Sequence, residues 1–149
     1  MAAFQGIAQT SEVALSAATA KTALQLVAAS NHRVKILRWG VFFDGTSVTA
    51  EPVQVELARQ TTAGTMSSNT PNKLDDSLAE SLQTAAQDNA TAEPTKGDVI
   101  DVVEVHPQQG YEIIYPLGQE PVIGGGDRAG IICTAPAAVN VRVKIVFEE

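Results

Sequence analysis

The chain is poor in the residues that most often announce chemistry. Among 149 residues there is one cysteine, Cys133, one tryptophan, Trp39, and only two histidines, His32 and His106. A single thiol excludes an intrachain disulfide framework and any multi-cysteine zinc site. Its setting, Gly130-Ile-Ile-Cys-Thr134, is apolar and reads as a buried, inert thiol rather than a nucleophile. Charge is scarce too: 18% of residues are charged, and 17 acidic against 10 basic residues give a net charge of −7. A duplex-binding protein carries a basic stripe to neutralise phosphates, and none is present, so no nucleic-acid partner and no anionic membrane surface is expected. Nothing approaches the ~18 consecutive apolar residues of a membrane-spanning helix. No basic segment precedes an apolar core near the N-terminus, so no secretory signal is expected, and the Asn89-Ala90-Thr91 sequon reads as accidental.

Catalytic motifs are missing as well. His32 lies in a Ser-Asn-His-Arg turn and His106 precedes Pro107 at a strand end, with no metal-ligand spacing between them. There is no G-x-S-x-G elbow to anchor a hydrolase triad. Gly124-Gly-Gly-Asp-Arg-Ala129 formally fits a dinucleotide fingerprint, but that motif must open a helix, and a strand-like run, Gly130-Ile-Ile-Cys-Thr, follows. These glycines are expected to form a tight connection with positive φ. Asp98, Asp101 and Glu104 do not share one strand face, which leaves paired-acid chemistry without a local cluster, and Asp75-Asp76 suits capping better than cation binding. The expectation is a protein with no catalytic residue, no metal and no cofactor.

What is present is β patterning. Leu24–Ala28 is followed by Val34–Phe43, in which Leu37, Trp39, Val41 and Phe43 share a face, and by the turn signal Asp44-Gly45. Val53, Val55 and Leu57 alternate with Gln54 and Glu56; later runs are Val99–Val105, Tyr111–Leu117, Ala129–Thr134 and Val139–Phe147. In the last, Val139, Val141, Val143, Ile145 and Phe147 point one way and Asn140, Arg142 and Lys144 the other. The seven prolines fall at or near the ends of these runs, where a missing N–H breaks no interior ladder. Seven or eight short strands predict an all-β, single-domain antiparallel sandwich or jelly roll over residues 21–149.

Two stretches escape that pattern. Residues 1–20 match no clean period, and read either as a frayed tail or as an arm that orders on a neighbouring molecule through Phe4, Ile7, Val13 and Leu15. Residues 60–96 are a long polar excursion; Ser77-Leu-Ala-Glu80 has capping-box spacing, which allows a short helix over about 76–87 or an ordered loop. A further oddity is that several strands carry large apolar residues on both faces: Phe42 beside Phe43, Ile113 beside Ile114, and Val99 through Val105. A second apolar face must be covered by the other sheet, by the 60–96 excursion or by another subunit.

Several stretches resemble the small jelly-roll head decoration (cement or auxiliary) proteins of tailed bacteriophages. They are Arg38-Trp-Gly-Val-Phe-Phe-Asp-Gly-Thr46, Pro52–Thr65, Thr70-Pro-Asn-Lys-Leu-Asp75, Pro116-Leu-Gly118, and Gly130-Ile-Ile-Cys133 with the closing β run. The resemblance implies a non-enzymatic virion protein on the capsid exterior. It would form a homotrimer, with the major capsid protein as its partner and a mechanical, stabilising role. Two rivals from other classes remain: a carbohydrate- or receptor-binding jelly-roll module, which needs exposed aromatics, and a cupin-like enzyme, which needs a metal cluster.

Overall fold

The structure, a computed structural model, describes residues 4–45 and 51–149. Residues 46–50, which follow the Asp44-Gly45 turn signal, and the first three residues of the expected arm lie outside the described residues. Thirteen strands follow one another: β1 (Gln5–Gln9), β2 (Val13–Leu15), β3 (Ala20–Val27), β4 (Val34–Phe43), β5 (Val53–Gln60), β6 (Thr65–Asn69), β7 (Asn72–Lys73), β8 (Ala85–Ala92), β9 (Lys96–Val105), β10 (Gly110–Ile114), β11 (Val122–Ile123), β12 (Arg128–Thr134) and β13 (Val139–Glu148). No helix occurs among the described residues. The strands form two antiparallel sheets, one ordered β10-β4-β13-β1-β7 with β11 and β2 added at its flanks, the other β6-β8-β3-β12-β5-β9. The expected all-β sandwich is the observed fold.

Alternation builds the interior wherever the ladder is regular. Val141, Val143, Ile145 and Phe147 of β13 are buried, and Val139 packs partly against the same core. Opposite them, β12 and β5 contribute Ala129, Ile131, Cys133, Val55 and Leu57. Trp39 is wholly buried, as its parity predicted. Leu37 departs from its predicted face. Val146 pairs with Arg38 and Phe147 with Ile36, so Leu37 is the extra residue of a β-bulge. One inserted residue reverses the alternation: Val34 and Ile36 face inward before it, and Trp39, Val41 and Phe43 after it. A second bulge at Ala23 separates inward Leu24 from outward Thr22 in β3.

The N-terminal segment is a strand of the sandwich. β1 pairs with β13 from Gln5–Glu148 to Gln9–Lys144, and β2 continues along the same edge opposite Val139–Val141. Phe4 and Glu149 exchange backbone bonds of 3.2 and 2.8 Å, and Thr10 bonds Val143 through both its N–H and its hydroxyl. The expected arm over residues 1–20 is therefore corrected: from Phe4 onward the backbone closes an otherwise open β13 edge. The apolar count misleads here because the inward positions of β1 are small. Gly6 lies under the Phe147 ring, where a Cβ would stand 2.7 Å from Cζ, and Ala8 is fully buried.

The 60–96 excursion resolves into β6, β7 and β8. The helix over 76–87 does not form. Asp75 Oδ1 accepts bonds from the N–H and hydroxyl of Ser77 at 3.0 and 2.6 Å, and the Lys73 ammonium bonds the carbonyls of Leu78 and Glu80. The capping signal thus serves a local turn. Ala85-Ala86-Gln87-Asp88 instead pairs with β3 on one side and, through Ala86–Asp88, with β6 on the other. These are weak strand formers, and tertiary pairing overrides their propensity.

Candidate functional site

The four residues expected at an assembly contact separate into two groups. Val13 and Leu15 are 2% and 3% exposed, so they are core residues of the chain's own sandwich and cannot reach a neighbour. Ile7 is half-buried on the outer face of the first sheet, between Val146 and Asn72, and Phe4 is half-buried beside Glu149. None of the four sits on a free arm.

The candidates for chemistry also find ordinary surroundings. Cys133 is fully buried, and burial pushes its thiol pKa up to about 12, which keeps it protonated and unreactive. His106 accepts a bond from the Gln108 N–H within a turn. No group of three His, Cys, Asp or Glu side chains is placed to hold a metal among the described residues. The Gly124–Asp127 run is the tight connection its glycines implied: Gly126 has φ +82°, and a Cβ on Gly125 would stand 2.5 Å from the Ser30 carbonyl oxygen. β12, not a helix, follows it.

The apolar excess noted in the sequence is covered in one place and bare in another. Over the second sheet, the segments flanking β6 and β8 fold back across the outward residues of β3, β12 and β5. β8 leaves β3 after Asp88, turns at Asn89 (φ 52°), and continues with β6 alone. Beneath lies a polar network. Gln25 Nε2 donates to Gln60 Oε1 at 2.7 Å and Gln60 Nε2 donates to Thr22 Oγ1 at 2.9 Å. The Thr22 hydroxyl and N–H donate to the Glu93 carboxylate at 2.7 to 3.0 Å. Gly130 gives Gln60 its room, since a Cβ there would stand 2.5 Å from Oε1. Buried side-chain amides are stable only when paired in this way, and nothing in the strand periodicity marks Gln25 or Gln60 as interior.

Along the side formed by β9 and β10 the apolar residues stay bare. Between the sheets that side is closed by a chain of bonds: Trp39 Nε1 donates to the Tyr115 hydroxyl, which donates to Asp101 Oδ2, both at 3.0 Å. Burial, foremost, raises the Tyr115 phenol to about 12. Val99 and Val102 face outward from the second sheet at 43% and 51% exposure, paired with Ala58 and Glu56. Ile114 faces outward from the first sheet at 67%, and Leu117, at the tip of the loop after β10, is 94% exposed. Both free edges resist further strand pairing. β9 is bulged twice and carries Asp98 and Glu104, and β10 ends at Pro116.

The outer face of the first sheet carries one further feature. The Phe42 ring lies flat across Gly40 and Gly110, close enough that a Cβ on Gly110 would collide with it, and Lys144 Nζ stands 5.3 Å from its centroid. Glu112 bridges Lys144 at 2.7 Å and Arg38 at 3.4 Å, and the Lys144 bond chiefly holds its carboxyl below the usual range. Beside this platform the Glu12 carboxyl is raised, first by its bond to Asp44 and then by that group's charge. A separate open groove of about 540 Å³ runs between Asn69–Lys73 and Ser81–Ala85. Its wall is held by Glu149, whose carboxylate accepts from the N–H groups of Gln83 and Thr84 at 2.8 Å each. No protein-family model, curated protein or solved structure matches the chain.

Proposed function

We propose that the chain is a structural protein of a bacteriophage particle, a capsid decoration protein that trimerises on the head exterior and bridges subunits of the major capsid protein. Its role in this reading is mechanical, with no reaction to catalyse. The supporting observation is the uncovered apolar side of the sandwich at Val99, Val102, Ile114 and Leu117, borne on strands whose edges are closed to further β pairing. Soluble monomers rarely leave such residues grouped along one side. Apolar burial supplies ~25 cal/mol per Å² before association costs, and many equivalent copies turn modest single contacts into firm attachment. The sequence resemblance points the same way. Cosedimentation of the purified chain with phage heads lacking their decoration protein tests the reading directly; a chain that stays in the supernatant at every concentration refutes it.

A second reading, a carbohydrate- or receptor-binding module, is favoured by the Phe42 platform, an exposed ring flanked by Lys144 and Arg142. Trp39 takes no part, being buried and bonded to Tyr115. Binding on a glycan array that Phe42→Ala abolishes would establish this reading over the first. An array without hits removes it.

A further inference from the structure

The apolar residues along the β9–β10 side fall into two patches of opposite charge. On the outer face of the first sheet, Ile114 and Val122 lie beside Arg38 and Lys35, their cross-strand partners on β4. Arg142 and Lys144 stand further along that face, so its four basic residues outnumber the acidic Glu112 and Glu148. On the outer face of the second sheet, Val99 and Val102 lie beside Glu104, Asp98 and Glu56, with Lys96 paired to Glu56 at 2.7 Å. A chain of net charge −7 has thus gathered basic residues on one of these faces and acidic residues on the other.

We infer that the occupant of each patch is the unlike patch of a second copy of this chain. The Ile114 patch of one protomer seats on the Val99–Val102 patch of the next, with Arg38 facing the Asp98 and Glu104 carboxylates. Apolar contact supplies the affinity, and the opposed charges set the register and disfavour like-on-like pairing. A contact between unlike patches is heterologous, and it gives a closed ring when its rotation closes and a filament when it does not. Both patches border the same side of the sandwich, on opposite outer faces. That side, with Tyr115 and Leu117, turns toward the axis, and wedge-like protomers arranged in this way close into a small ring. The inference rests on the self-association within the proposed function and is independent of capsid attachment.

The test is light scattering on the purified chain with Ile114→Asp and Val102→Asp, alone and mixed. Wild type is expected to have the mass of a closed oligomer that dissociates as salt rises. Each variant is expected to fall to the monomer mass with an unchanged melting midpoint. The equimolar mixture is the diagnostic arm: each variant keeps one intact patch, so the mixture recovers a dimer and stops there. A monomeric wild type, a variant that keeps the wild-type mass, or a mixture that stays monomeric would each overturn the inference. Should Asp lower the melting midpoint at either position, Ile114→Ser and Val102→Ser put the same question more gently. A chain that forms the ring but never cosediments with heads refutes the capsid reading and leaves this one standing; a monomer that still binds heads does the reverse.

Discussion

Gly6→Ala asks whether the N-terminal segment belongs to the sandwich, because docked and free segments predict opposite signs. Gly6 has no positive φ, so in a free segment alanine costs nothing in the backbone and narrows the unfolded ensemble, a gain of ~0.4–1 kcal/mol at most. In the docked strand the new methyl would stand 2.7 Å from Phe147 Cζ and 2.8 Å from Leu82 Cδ1. Phe147 is fully buried and held by β4 on one side and β1 on the other, so its ring has little room to retreat. Overpacking of this kind costs about 1–3 kcal/mol, which outweighs the backbone gain. Phe147→Ala alone is expected to cost ~3–5 kcal/mol. In that background the alanine methyl occupies vacated space, so the two changes are strongly non-additive, by roughly 1–3 kcal/mol in the favourable direction. Urea titrations of the wild type, both single variants and the double variant measure the cycle. A Gly6→Ala chain at least as stable as wild type, or a cost unchanged by Phe147→Ala, would mean that β1 does not lie against the β13 core.

Glu93→Ala removes the acceptor for the N–H and hydroxyl of fully buried Thr22, and is expected to cost roughly 1–3 kcal/mol. Hydrogen exchange should quicken at Thr61–Thr65 and Ala90–Thr95 while the β4–β13 ladder keeps its protection. Tyr115, raised to about 12, favours the fold while its phenol is neutral. That contribution is complete below the unfolded phenol value of ~10 and fades as pH rises through 12. Ultraviolet titration of the wild type against Tyr115→Phe should show one tyrosine ionising only near that alkaline limit, and a wild-type titration complete by pH ~10 contradicts the buried bond to Asp101. Cys133 is expected to resist thiol reagents until global unfolding; rapid labelling of the native chain would show that β12 is not interior.

The amino-acid sequence was sufficient for the fold class because alternation over β4, β5, β12 and β13 is a property of the residues themselves. Val141, Val143, Ile145 and Phe147 face one way in any extended chain, and only burying that face removes them from water. The tight Gly124–Asp127 connection was legible for a similar reason, since only glycine adopts positive φ freely at Gly126. The doubled apolar faces of β9 and β10 were also visible in the sequence, and they mark the side that the assembly proposal uses.

Tertiary structure decided what depends on a partner's register. The bulges at Leu37 and Ala23 reverse parity within single runs, and their positions are set by which β13 and β12 residues pair across them. Ala85–Asp88 and Gln5–Gln9 have little intrinsic drive to be strands; backbone pairing with β3 and β6, and with β13, makes them so. Gln25 and Gln60 read as solvent-facing alternates, and they are buried only because the β6–β8 arm folds back and pairs their amides. Periodicity reports how one chain segment meets water. It carries no information about which distant segment will replace that water, and here that replacement determines the N-terminus, the polar network and the face left open.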